Sequence, residues 1–244
     1  MKSFSILLWF VLFATSATAG DRYANIHTVG IVSVIGDVVS MSSESLFTGG
    51  TKNACLVYVD DWRLDDAIVE RIAALLSPRF AAKPVTISRA SLFNLRDSES
   101  GIRRYITTLP KENGVDAYIV VSKRYLTASS GNGPNIFGLT VLDSAIGGPS
   151  VFALYQIDVI DAKSGRQIAF AFGHTGVGML NFTEVQRGVD KSYWSATDSE
   201  FSAGQKQKLK SVVSEITLNS LPYALYTADL ISGIPPAAPA SSSP

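Results

Sequence analysis

The sequence predicts an α/β fold: a mixed β-sheet covered by about three main helices, with a long glycine-rich insertion. Three observations carry that prediction. Residues 27–40, 55–59 and 116–122 are runs rich in Val and Ile or in aromatic groups, the residue types that suit a pleated, packed surface. Residues 64–76 and 203–221 instead repeat their apolar groups at helical spacing. Strand-like and helix-like segments alternate through the first half of the chain, the order expected of a sheet layered with helices.

The elements follow in order. Residues 27–40 (HTVGIVSVIGDVVS) predict the first strand. Residues 55–59 (CLVYV) come after the turn-like Thr48-Gly49-Gly50-Thr51 and predict its antiparallel hairpin partner. Asp60, Asp61, Asp65 and Asp66 lead into an amphipathic helix with Leu64, Ile68, Ile72, Leu75 and Leu76 on one side. Four neighbouring aspartates suggest a hard cation, but the spacing lacks the Asp-x-Asp-x-Asp-Gly pattern of a calcium loop. Aspartate at a helix start is favoured by capping and by the macrodipole, so capping is expected and no metal site is assigned.

Residues 85–87 predict a short strand, and residues 98–112 a helix with Ile102, Tyr105, Ile106 and Leu109 on one side, ended or kinked by Pro110. Residues 116–122 (DAYIVVS) form a continuous apolar run of the kind buried in mid-sheet. Residues 152–160 and 167–172 flank Asp161-Ala162-Lys163-Ser164-Gly165, a hairpin whose turn takes a positive φ at Gly165. The last helix spans about residues 203–221, with Leu209, Val212, Val213 and Ile216 inward and Lys206, Lys208 and Lys210 on a solvated face.

The chain ends set the compartment. Lys2, the apolar run of residues 6–13 and the small-residue Ala17-Thr18-Ala19 fit a secretory signal cleaved after Ala19. The run is shorter than the roughly 20 residues of a spanning helix, an uncleaved anchor being the alternative. Residues 231–244, rich in Pro, Ala and Ser, predict a disordered tail, which leaves residues 20–230 as one domain. Cys55 is the only cysteine, so no internal disulfide forms and no thiol stands at the cleavage site to carry a lipid. At the head of an apolar strand it reads as a buried, inert thiol. With 21 basic and 21 acidic residues the net charge is zero, which removes the field that a nucleic-acid binder needs. The expected location is periplasmic or secreted.

Residues 125–157 carry one charge, Asp143, and five glycines: Gly131, Gly133, Gly138, Gly147 and Gly148. A phosphate cradle fails on the residues. Ile136 stands where the dinucleotide fingerprint needs glycine, and no Gly-Lys-Ser/Thr occurs. The insertion, residues 129–149, is either a loop over the domain's own core or a partner- or membrane-facing surface, with Ile136, Phe137, Leu139 and Leu142 as candidate partner-binding residues. Tyr193 and Trp194, in the polar loop of residues 191–201, are the other candidates, packing beneath the loop being the alternative. Asn181-Phe182-Thr183 is a glycosylation sequon only in a eukaryotic source.

The run IDVIDAKSGRQIAFAFG, preceded by GVDAYIVVSK and by IVERIAALLSPRFAAKPVTISRASLF, resembles the envelope domains typified by CsgG, LpoB and the N-terminal domain of TolB. The resemblance covers about residues 26–225 and rests on element order and on the Asp161 and Gly165 turn between two strands. It implies a small α/β layer structure without an active site, assisting assembly, export or wall synthesis at the bacterial envelope through protein contacts. The chain departs from that group in lacking a lipid-bearing cysteine, in the strand pair near Cys55 and in the longer insertion after Tyr125. Pore strands need about 9–11 residues of alternation, which the glycines and prolines of residues 125–157 interrupt.

No Gly-x-Ser-x-Gly elbow occurs, and His27 and His174 are the only histidines. His174 would need a carboxylate such as Asp158 or Glu184 for acid–base work. The expected function is therefore that of an exported non-enzymatic protein acting by protein–protein contacts in assembly, export or maintenance of the bacterial cell envelope, with no catalytic residue, cofactor or metal. Two alternatives stay open: an exported hydrolase or metal-dependent enzyme using His174 or His27, and a CsgG-like membrane-inserting oligomer. The expected partners are envelope proteins and not nucleic acid, with peripheral membrane contact and homo-oligomerisation both open.

Overall fold

The computed structural model describes residues 22–44, 51–77, 79–83, 85, 114–126, 136–145, 147–175, 184–197 and 201–233. Among them are β1 (Thr28–Ser33), β2 (Val38–Glu44), β3 (Thr51–Tyr58), α1 (Leu64–Leu76), β4 (Ala81–Lys83), β5 (Ala117–Lys123), β6 (Tyr125–Leu126), β7 (Ile136–Phe137), β8 (Leu139–Ser144), β9 (Gly148–Ala153), β10 (Tyr155–Asp161), β11 (Gln167–Phe172), β12 (Gln186–Gly188) and α2 (Ala203–Thr227). The α/β class is as expected. Two α-helices lie among the described residues against the three expected, the span 98–112 falling outside them.

The strands form two five-stranded mixed sheets and a two-stranded ribbon. In the first, the order is β11-β10-β5-β1-β4, with β1 parallel to β4 and β5, and β10 antiparallel to β5 and β11. In the second it is β12-β9-β8-β2-β3, with β2 parallel to β8 and the other pairs antiparallel. β6 and β7 make the ribbon. The expected strand of residues 27–40 is thus two strands in two sheets, divided at residues 34–37, and the expected strand of residues 152–160 is divided at Leu154. The β2–β3 hairpin is present, and so is β10–β11 with Gly165 at φ 69°. A short strand is found at β4, while of the expected strand at residues 85–87 residues 86 and 87 lie outside those described.

One apolar core lies between the sheets and the helices. It takes Ile68 and Ile72 of α1, Leu209, Val213 and Ile216 of α2, Ile119 and Val121 of β5, and Val141 and Val151 of the second sheet. The four-residue spacing of α1 is the cause of its burial: Leu64, Ile68, Ile72 and Leu76 fall on one stripe. β5 is buried on both faces because strands flank it and Val32, Tyr118, Val120 and Ile160 form a second cluster behind it. α2 opens with a capping box of Ser202 and Gln205, and it continues through buried Pro222 to Thr227, beyond the expected end at residue 221.

Asp65 and Asp66, in the first turn of α1, act otherwise than as caps. The residue at the N-cap is Arg63, without a side-chain cap bond. Asp65 is buried and accepts hydrogen bonds from Ser33 Oγ (2.6 Å), Ile35 N (2.9 Å) and Gly36 N (3.2 Å), tying α1 to the crossing between β1 and β2. Asp66 pairs with Arg63.

Candidate functional site

The most developed surface feature is built on the β10–β11 hairpin. β11 ends the first sheet, with β10 as its strand neighbour. Ala169 and Ala171 turn into the core, while Phe170 and Phe172 turn to the other face, 55% and 44% exposed. Their rings meet edge-on at 5.6 Å. The backbone phase follows from one bond: Gly173 N donates to Tyr155 O (2.9 Å). In an antiparallel ladder the bonded positions recur at every second residue, so Ala171, opposite Ile157, bonds to β10, and Phe170 and Phe172 aim their N–H and C=O groups at the open edge.

A cavity of about 530 Å³ lies beside residues 170–174, lined also by Arg124, Glu184 and Thr227. Arg124, at the crossing from β5 to β6, stacks its guanidinium 4.7 Å from the Phe172 ring and pairs with Glu184. Among the described residues, Arg124 Nε is buried without a hydrogen-bond partner. His174 is buried and its Nε2 shares a hydrogen bond with Thr227 Oγ1 (2.9 Å), which holds the segment after β11 to the end of α2. The carboxylates named for His174 are engaged elsewhere: Glu184 with Arg124, and Asp158 with the amides of Gln156 and Gln167. Gly173 permits this close packing, since a Cβ there would meet the Tyr155 ring at 2.4 Å.

A second, polar cavity of about 710 Å³ lies at the turn end of the same hairpin, beside Arg22, Asp116, Asp161, Lys163 and Arg166. Both carboxylates stay ionised to lower pH than usual. Asp116 accepts from the backbone N–H groups of His27 (2.9 Å) and Thr28 (2.8 Å), and Asp161 from the Ser164 hydroxyl and N–H (both 2.6 Å). They tie backbone to backbone, as a turn requires.

Ile136, Leu139 and Leu142 are buried within the ribbon and second sheet. Phe137 is half-buried and stacks on Tyr125 at 4.2 Å. Tyr193 and Trp194 are half-buried against the core, and Trp194 Nε1 donates to Ser42 O (2.9 Å). Ile136 and Leu142 share one apolar cluster, whereas Leu139 belongs to the main core against which Tyr193 and Trp194 pack, and Phe170 and Phe172 belong to neither. Cys55 is partly buried against the core, its Sγ 3.7 Å from Ser195 O. The His27 side chain is exposed. Gly131, Gly133 and the sequon lie outside the described residues, and no cluster of three potential metal ligands occurs among those described. No described helix is long and apolar enough to cross a membrane. The alternation of β11 was the signal for Phe170 and Phe172, but a strand with apolar groups on both faces does not declare which face is left uncovered.

No protein-family model and no curated protein matches the chain. Among solved structures, it is similar to the lipoprotein GNA1162 of Neisseria meningitidis at 10% identity, over 78% of this chain and 97% of that one, with a TM-score of 0.29. Protein XCC0632 of Xanthomonas campestris, assigned to family DUF330, matches at 9% identity over 84% and 86%, with a TM-score of 0.35. A PelC dodecamer from Paraburkholderia phytofirmans matches at 11% identity over 79% and 86%, with a TM-score of 0.25. At such low superposition none of the three bears on function.

Proposed function

We propose that the chain is an exported, non-enzymatic protein of the bacterial envelope that works by binding other polypeptides in envelope assembly, export or maintenance. The observation that carries the reading is the outer edge of β11, which no described strand pairs and which carries two half-exposed phenylalanines and outward-facing backbone groups beside a cavity. Unpaired strand edges with apolar side chains are templates for another strand, and soluble proteins blunt them with Lys, Pro or a cover unless they are used. The signal-like residues 1–19 and the resemblance to CsgG, LpoB and the TolB N-terminal domain support the envelope setting. The engagement of His174 by Thr227 and of Glu184 by Arg124 supports a contact role over the hydrolase alternative.

The test is complementation in a bacterial deletion strain scored for detergent sensitivity. A chain with His27→Ala, His174→Gln and Cys55→Ser restores the wild-type response, and one with Phe170→Ser and Phe172→Ser does not. Loss of function in the first, at unchanged protein level, overturns the reading in favour of catalysis.

A further inference from the structure

We propose that the cavity beside residues 170–174 is a binding site for a flat, uncharged aromatic molecule that carries a carbonyl oxygen. The proposal goes beyond the contact reading and does not rest on it, because it draws on the cavity and not on the outer edge of β11. At about 530 Å³ the cavity has the volume of a small-molecule site, and its walls have the make-up of one, mainly apolar with a few polar groups at defined places. It forms where three elements meet: the end of β11, the step from β5 to β6 and the last turn of α2.

The lining selects the chemistry of the ligand. Phe170, Phe172 and the Arg124 guanidinium are flat groups, the guanidinium lying 4.7 Å from the Phe172 ring, and flat walls favour an aromatic body. Charge is balanced: Arg124 pairs with Glu184, so neither an anion nor a cation would find an uncompensated partner. Hydrogen bonding is not balanced. Among the described residues Glu184 is the one hydrogen-bond partner of the Arg124 side chain, reached through Nη2, and Nε is buried with none. A buried donor without a partner calls for an acceptor, and the guanidinium can only donate. His174 Nε2 and Thr227 Oγ1 satisfy each other and add no such demand. An aryl carbonyl meets all of these conditions, being flat, uncharged and an acceptor only.

The mature chain is titrated with Prodan, an uncharged naphthyl ketone whose emission moves to the blue in apolar surroundings. Saturable binding of one molecule per chain is expected. Arg124→Lys keeps a cation facing Glu184 but loses Nε and the planar fork, and it should weaken Prodan about tenfold. Phenylnaphthylamine, which has no carbonyl, should bind the two chains alike, a result that damage to the fold would not give. Absence of saturable Prodan binding, equal Prodan binding by both chains, or a parallel loss of phenylnaphthylamine overturns the proposal. A second measurement needs no variant. Benzophenone, an aryl ketone that inserts into nearby C–H bonds under ultraviolet light, is irradiated with the wild-type chain, and the labelled peptides are mapped by mass spectrometry. Label within residues 170–174 or at Thr227, suppressed by Prodan, is expected, and label spread over the surface or confined elsewhere overturns the site. Either failure leaves the contact reading standing, because that reading is scored by complementation and not by ligand binding.

Discussion

The crossing between the two sheets, at β1, β2 and β5, and the outer edge of β11 put polar and apolar groups to opposite uses. At the crossing, polar groups are buried and engaged: Asp65 with the turn of residues 33–36, and Lys123 with Asp37. At the edge, Phe170 and Phe172 stay about half exposed, and among the described residues no strand pairs with the outer side of β11. Stability and recognition are thus separated in space. Substitutions should divide accordingly, those at the crossing costing fold and those at the edge costing association.

The sharpest way to break that division is Asp65→Ala. It leaves three donors near α1 without their acceptor, and we expect a loss of about 3 kcal/mol in urea unfolding, read as a lower midpoint at unchanged slope. A loss below about 0.5 kcal/mol would mean that the crossing is not where stability resides. Next comes Gly173→Ala, which drives a methyl into the Tyr155 ring and should cost about 2 kcal/mol although it adjoins the edge. It marks where the core ends and the recognition surface begins.

A smaller effect discriminates between edges. β3 also ends a sheet and exposes Leu56 (47%) and Tyr58 (69%). Each pairing carries one register shift, β2–β3 between Met41 and Ser42 and β10–β11 between Val159 and Ile160, so a bulge does not tell the two edges apart. Leu56→Ser with Tyr58→Ser should change unfolding free energy by no more than about 0.5 kcal/mol and, unlike the change at Phe170 and Phe172, restore the wild-type response in complementation.

The smallest effect is electrostatic. The Asp116 carboxyl lies below its ordinary pKa because the N–H groups of His27 and Thr28 favour its charged form. Its contribution is fully present at neutral pH and is lost as pH falls below the ordinary aspartate range through the lower folded value. Asp116→Asn should flatten the acid limb of the stability–pH curve, and an identical limb in both chains would remove Asp116 from the account.

Much of the fold was legible because local chemistry and tertiary role agree. The 64, 68, 72, 76 spacing of α1, the unbroken apolar run of β5 and Gly165 in its turn each have a cause within a few residues. The divisions at residues 34–37 and at Leu154 were not legible, since strand alternation can continue through a crossing and no proline marks it. Asp65 misled for a related reason: an aspartate in a first helical turn suits the macrodipole on its own, while its partners lie about thirty residues earlier. Phe170 and Phe172 were visible as alternating positions, but the cavity beside them draws on Arg124, Glu184 and Thr227, which only the folded chain brings together.

The shared strands also bear on the order of events in a cell. β1 and β2 lie within one run of the chain, yet Val29 pairs with Ala117 and Val39 with Leu139, so neither sheet closes until distant segments have met. Chains dominated by such non-local pairing fold slowly, on the order of milliseconds to seconds. The weaving that joins the two sheets thereby acts as a clock: neither sheet is complete until strands far apart in the chain have met.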